Sequence, residues 1–199
     1  MTQGWAEDLH TRVAVAIKRA RGGRSAQWLA DETERLGYPI SRAAIANYES
    51  GRKKGLELAE LVVLAAALRV PPVALIYPDL PQGVIEVLPG EPVTSWEAAT
   101  WFSGERAAPG PSTDGETADA TREFELIQAV RARSSRESSV FELFDLIGQF
   151  AGGELPGQRT IRPSDPAMRA LKDQLESVSR ELKRLDAVIR ELGGVTGTD

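Results

Sequence analysis

The chain has no cysteine and one histidine, His10, among its 199 residues. Without thiols there is no disulfide, no thiolate nucleophile and no Cys-based zinc site, and a lone imidazole leaves few routes to a His-dependent triad. Aromatic residues are sparse at 6%. No apolar run approaches the roughly 20 residues that a membrane-spanning helix needs. The opening Met1-Thr2-Gln3-Gly4-Trp5-Ala6-Glu7-Asp8 lacks the basic and then apolar order of a signal peptide. These absences predict a cytoplasmic protein with no membrane partner and with neither cofactor nor metal. Paired carboxylates such as Asp31 and Glu32 have no nucleophile or metal beside them, so the sequence does not read as an enzyme.

Apolar residues make up 42% of the chain, enough for a real core, and its length suits one or two domains. The net charge of −5 is unevenly divided. Residues 1–80 carry 11 Lys and Arg against 9 Asp and Glu, whereas residues 81–199 carry 13 against 20. A nucleic-acid contact would therefore sit near the N-terminus, on a local basic face.

Leu9, Val13, Ala16, Ile17 and Ala20 recur at helical spacing until Gly22-Gly23, with Arg12, Lys18, Arg19 and Arg21 expected on the exposed side. Ser25 is placed to cap a second helix running through Trp28 to Leu36. Gly37-Tyr38-Pro39-Ile40 breaks that helix, and Ser41 caps a third, Arg42 to Ser50, ending at Gly51. Leu58, Leu61, Val62, Leu64, Ala65 and Leu68 mark a fourth, closed by Val70-Pro71-Pro72, and Val73 to Tyr77 a short fifth. Residues 1–80 thus predict an all-α, five-helix domain containing a helix-turn-helix.

Residues 81–104 read as an extension packed on that domain, in which Val84 to Leu88 forms a brief strand or extended arm. Trp96, Ala99, Trp101 and Phe102 suggest a short helix there. Residues 105–120, with Pro109-Gly110-Pro111-Ser112, predict a flexible linker. Residues 121–199 read as a helical association region. Phe124, Ile127 and Val130 mark one helix, Ser134-Ser135-Arg136 is expected to interrupt it, and Val140 to Phe150 mark another that is apolar on most sides. The last helix, 165–192, is capped by Ser164 or Asp165. Its apolar residues Met168, Leu171, Leu175, Val178, Leu182, Leu185, Ile189 and Leu192 alternate in steps of three and four, the spacing of a coiled coil. Leu171 through Leu192 in that series are the expected dimerisation residues. Glu181 facing Asp186 would disfavour a parallel homodimer, whereas an antiparallel one would bring Lys172 toward Asp186. The same seam also suits folding back on the Phe141–Phe150 helix within one chain.

The strings Ser25-Ala26-Gln27-Trp28-Leu29-Ala30, Ser41-Arg42-Ala43-Ala44-Ile45-Ala46-Asn47-Tyr48-Glu49-Ser50-Gly51-Arg52 and Arg69-Val70-Pro71 resemble the Cro/C1-type (XRE) helix-turn-helix family, in the form common in actinobacteria and their phages. The resemblance covers residues 9 to 78. Two departures stand out: Ala26 occupies the place of the family's usual glutamine, with Gln27 next to it, and the stretch from Ala30 to Ser41 is longer than in the commonest form. The resemblance implies a transcriptional regulator, a repressor, whose partner is double-stranded DNA and whose third helix enters the major groove. Arg42 would bond guanine, Ala43 and Ala44 would admit thymine methyls, and Asn47 would read adenine or hold a phosphate. Ser25, Gln27, Ser41, Arg52, Lys53 and Lys54 would contact the DNA backbone. Ile45 and Tyr48 are expected in the core, and Glu49 bonded within the domain. A homodimer through the C-terminal helices would read paired half-sites. The alternatives are a phage-type immunity repressor binding an asymmetric site as a monomer, and a protein-interaction module in which the helix-turn-helix is only a scaffold. No residue pattern points to an effector.

Overall fold

The computed structural model describes residues 2–110, 118–151 and 166–197. It divides into two compact units, 1–111 and 112–199. Among the described residues the protein is predominantly helical, with one two-stranded sheet, and no helix is long and apolar enough to cross a membrane.

The first unit begins with α1, Thr2–Arg21, about two turns longer toward the N-terminus than the apolar periodicity of Leu9 to Ala20 implies. The extra turns are anchored by tertiary bonds: Trp5 Nε1 donates to the Glu86 carbonyl at 3.1 Å. Helices α2 (Ala26–Arg35), α3 (Arg42–Glu49), α4 (Leu58–Leu68) and α5 (Pro72–Ile76) follow. Ile17, Leu29, Ile45, Leu64 and Leu75, one from each helix, are almost wholly buried together. The connection between α2 and α3 is ordered by Thr33, which is wholly buried. Its hydroxyl donates to the Ala30 carbonyl at 2.8 Å and accepts from the Ile40 amide at 3.0 Å, which seats Ile40 in the core.

Two of the four cations expected on the outer side of α1 turn inward. Arg12 Nε donates to the Ile76 carbonyl at 3.1 Å, and Arg21 pairs with Glu49 at 2.6 Å. Both carry a long apolar stem, which lets a charged end reach a fixed acceptor while the methylenes cover the core.

Val84–Leu88 is a strand, β1, and it pairs antiparallel with β2, Glu91–Thr94, which the sequence did not reveal. Pro92 within β2 weakens the strand signal but is tolerated because a two-stranded sheet has only edges. Ile85 and Val87 share the buried face and, with Tyr77, Ala98 and Ala99, form a second core cluster. Helix α6, Ser95–Phe102, starts from a capping box in which Thr94 and Glu97 satisfy each other's backbone amides.

The second unit holds α7, Ala118–Ala151, and α8, Pro166–Glu191. Residues 111–117 of the expected linker and the expected caps Ser164 and Asp165 lie outside the described residues. Residues 118–120 belong to α7, not to a linker, and two of the three are alanine, the strongest helix former. The expected interruption at Ser134-Ser135-Arg136 is absent: α7 runs through it. Serine costs a helix only about 0.5 kcal/mol relative to alanine, and this turn is pinned by Arg133 to Asp186 at 2.5 Å and Arg136 to Glu181 at 2.9 Å.

Those pairs, with Arg122 donating to the Leu192 carbonyl at 3.0 Å, align α7 and α8 antiparallel in one chain. Ile189 is buried and Leu171, Leu175, Val178, Leu182, Leu185 and Leu192 are half-buried. The seam expected to join two chains is thus spent within one, because a partner helix on the same chain is present at high effective concentration. Asp186 and Glu181 find arginines of α7, so the expected approach of Lys172 to Asp186 is replaced.

Candidate nucleic-acid interface

Helix α3 is fixed by burying one side and exposing its start. Ile45 and Tyr48 are buried, whereas Ser41, Arg42 and Ala43 are exposed. Ser41 Oγ accepts from the Ala44 amide at 3.1 Å, and Ser25 Oγ caps α2 in the same way from the Trp28 amide at 3.0 Å. Each capped end still presents amides without intrahelical partners, which favour an anion. Ala44 is half-buried against the main core, whereas Ala43 is exposed. The 3.6-residue turn places Ala44 beside Ile45 on the inward flank.

Asn47 is half-buried, and its carbonyl accepts from the amides of Arg52 and Lys53 at 2.9 and 3.1 Å, closing the end of α3. Gly51, at φ 71°, makes that reversal, in the left-handed region that glycine enters without penalty. Gln27 is exposed but donates to Asp31 at 2.7 Å, so its amide is engaged along its own helix.

The basic run after α3 is less free than the sequence implies. Lys53 pairs with Glu60 at 3.1 Å and lies 4.3 Å from the centre of the Tyr48 ring, and Lys54 pairs with Glu7 at 2.6 Å. Hydrogen bonding with Tyr48 and then Glu60 raises the Lys53 pKa, keeping it charged. These pairs are solvent-exposed on the lysine side, where such contacts contribute little and exchange readily for phosphate. Arg42 and Arg52 are exposed and make no ion pair among the described residues.

Glu60 and Glu49 are the organising carboxylates. Glu60, at the start of α4, accepts from the Tyr48 hydroxyl and from the Glu57 amide at 3.1 Å. Burial alone would raise its pKa; hydrogen bonds from Tyr48, Glu57 and Lys53 outweigh burial and hold it below 4.5. Glu49 accepts two bonds from Arg21, at 2.6 and 2.7 Å, tying the last turn of α3 to the last turn of α1. This is the intradomain role expected of Glu49. The part played by Glu60 was not anticipated, although its place three residues after Glu57 is a helix-start signal. Arg24 was also missed: it caps α1 through the Ala20 and Arg21 carbonyls and stacks 3.9 Å from the centre of the Trp28 ring.

Among the described residues no group of three or more His, Asp or Glu is arranged to hold a metal ion. No family model matches the chain, and neither a curated protein nor a solved structure matches it.

Proposed function

We propose that the chain is a sequence-specific DNA-binding transcriptional regulator of the Cro/C1 type, acting as a repressor, in which α2 and α3 form the helix-turn-helix and α3 enters the major groove. The observation that carries this reading is the start of α3. A serine-capped N-terminus, with Arg42 and Ala43 exposed and Ile45 and Tyr48 buried, is the arrangement major-groove docking requires. Arg52 and the exchangeable lysines Lys53 and Lys54 flank it for phosphate contacts.

In this proposal the C-terminal unit supplies self-association through α7. Ile127, Val130, Phe141 and Phe144 are exposed, the two phenylalanines by 74% and 57%, and helical spacing gathers all four in one sector beside the side facing α8. Pairing two such hairpins would bury that sector as a four-helix bundle does. A second reading is favoured by the use of the α8 seam within one chain: a monomer that reads an asymmetric site.

The test is selection of bound sequences from a random duplex pool by the full chain at about 0.15 M salt. Enrichment of a palindrome supports the dimeric regulator, and enrichment of one asymmetric motif supports the monomer. No enrichment overturns DNA reading and leaves an interaction module. Arg42→Ala is expected to weaken the selected site by about 1–3 kcal/mol and relax one base position. Phe141→Glu with Phe144→Glu is expected to abolish self-association in sedimentation while helicity is retained.

A further inference from the structure

The first unit contains a cavity of about 470 Å³ that shares only its Lys53 and Lys54 edge with the proposed DNA-reading face. It is lined along α1 from Trp5 to Ile17, about 18 Å of helix, and bordered by Val87 and Leu88 of β1 and by Trp101 and Phe102 of α6. The lining is largely apolar and aromatic, with few polar groups, the make-up of a small-molecule site. Trp5, Trp101 and Phe102 are among the lining residues, side chains of the kind that pack against a planar ring.

Arg12 supplies the charge. Of the cations in the lining, Lys53 and Lys54 are paired to Glu60 and Glu7, whereas Arg12 makes no ion pair among the described residues. Its Nε is spent on the Ile76 carbonyl, and its buried Nη2 has no hydrogen-bond partner. Burial lowers the pKa of this guanidinium, with Tyr77 and Asp8 only partly opposing that effect. A buried donor on a cation is costly when unpaired, and an anion relieves it.

We propose that this cavity binds a small aromatic carboxylate, its ring against Trp5, Trp101 and Phe102 and its carboxylate drawn to Arg12. Binding itself is independent of whether α3 reads DNA. Where it does, the site becomes an effector site, because the cavity also reaches Tyr48, Lys53 and Lys54 at the end of α3.

The probe is 8-anilinonaphthalene-1-sulfonate, an apolar aromatic anion, titrated into the full chain and then displaced by 1-naphthoate or by its uncharged analogue 1-naphthalenemethanol. Saturable binding of one probe per chain is expected, with naphthoate displacing it at least tenfold more effectively than the alcohol. Arg12→Gln is expected to erase that preference and Arg12→Lys to keep part of it. Leu88→Trp, which adds bulk to the cavity lining, is expected to remove binding of both competitors. Absence of saturable binding, or equal displacement by acid and alcohol in the unmodified chain, overturns the proposal without reference to any variant's folding. Operator binding measured with and without naphthoate tests the effector role separately. A binding site with unchanged operator affinity refutes only that role.

Discussion

Replacing Glu49 with glutamine keeps the shape of the α3 terminus and deletes the charge opposite Arg21. The native pair is bidentate, at 2.6 and 2.7 Å, with the arginine side chain 14% and the glutamate 9% exposed. Exposed ion pairs contribute at most about 1 kcal/mol, whereas stranding one partner of a buried pair costs about 3–5 kcal/mol. Arg21 also donates to the Arg24 carbonyl and retains that bond in the variant. The expected loss for Glu49→Gln therefore lies between these limits, at about 2–3 kcal/mol. In a double-mutant cycle with Arg21→Ala the coupling should be about 1.5 kcal/mol or more. Urea denaturation followed by tryptophan emission is the suitable assay, because all four tryptophans, Trp5, Trp28, Trp96 and Trp101, lie in the first unit. Repeating the cycle near 1 M salt, where the screening length falls to about 3 Å, separates a buried pair from an exposed one. A coupling below about 0.5 kcal/mol, or one that vanishes in high salt, would refute the view that this pair locks α3 to α1.

Other outcomes follow from the same geometry. Ser41→Ala should destabilise the first unit by about 1 kcal/mol through loss of the α3 cap, and Ser41→Gly by only a few tenths, as read by denaturation midpoints. Gly83→Ala should cost about 1–3 kcal/mol as overpacking, since its methyl would sit 2.8 Å from Asp79 Cβ and 2.9 Å from the Asp79 carbonyl; an unchanged melting temperature would contradict that. Stability should fall with acid: Glu60 has a folded pKa held below 4.5, so its contribution is present above the unfolded value and is lost as pH drops through the folded one. Glu60→Gln should flatten the fall in unfolding free energy as the pH drops below the ordinary carboxylate range, and an unaltered pH profile would show that Glu60 does not carry it.

The five helices of the first unit were legible because their apolar spacing, serine caps and glycine or proline stops agree with one another. Ile45 and Tyr48 were expected inward from the helix-turn-helix resemblance, and both are buried. What escaped the sequence depends on distant partners. The early turns of α1 are held by Glu86, far along the chain, and Arg12 and Arg21 look like surface cations until their acceptors on α5 and α3 are located. β2 was hidden by Pro92, whose lack of an amide proton matters only in a strand flanked on both sides. In the second unit the heptads of α8 reported a helical partner but could not name it, since spacing specifies an apolar seam and not which helix covers it. The candidate site was legible in its caps and in Arg42, less so in Lys53 and Lys54, whose carboxylate partners lie in other elements.

The bond from Trp5 to Glu86 also bears on how the chain emerges from the ribosome. It spans 81 residues, and Arg12 to Ile76 and Arg19 to Asp79 span 64 and 60. At about 5–20 residues per second, the N-terminal turns of α1 wait on the order of ten seconds for the strand that receives them. During that interval the Trp5 indole has no strand to receive its hydrogen bond. The first unit therefore closes late in its own synthesis, and its earliest segment is the one offered longest to chaperones.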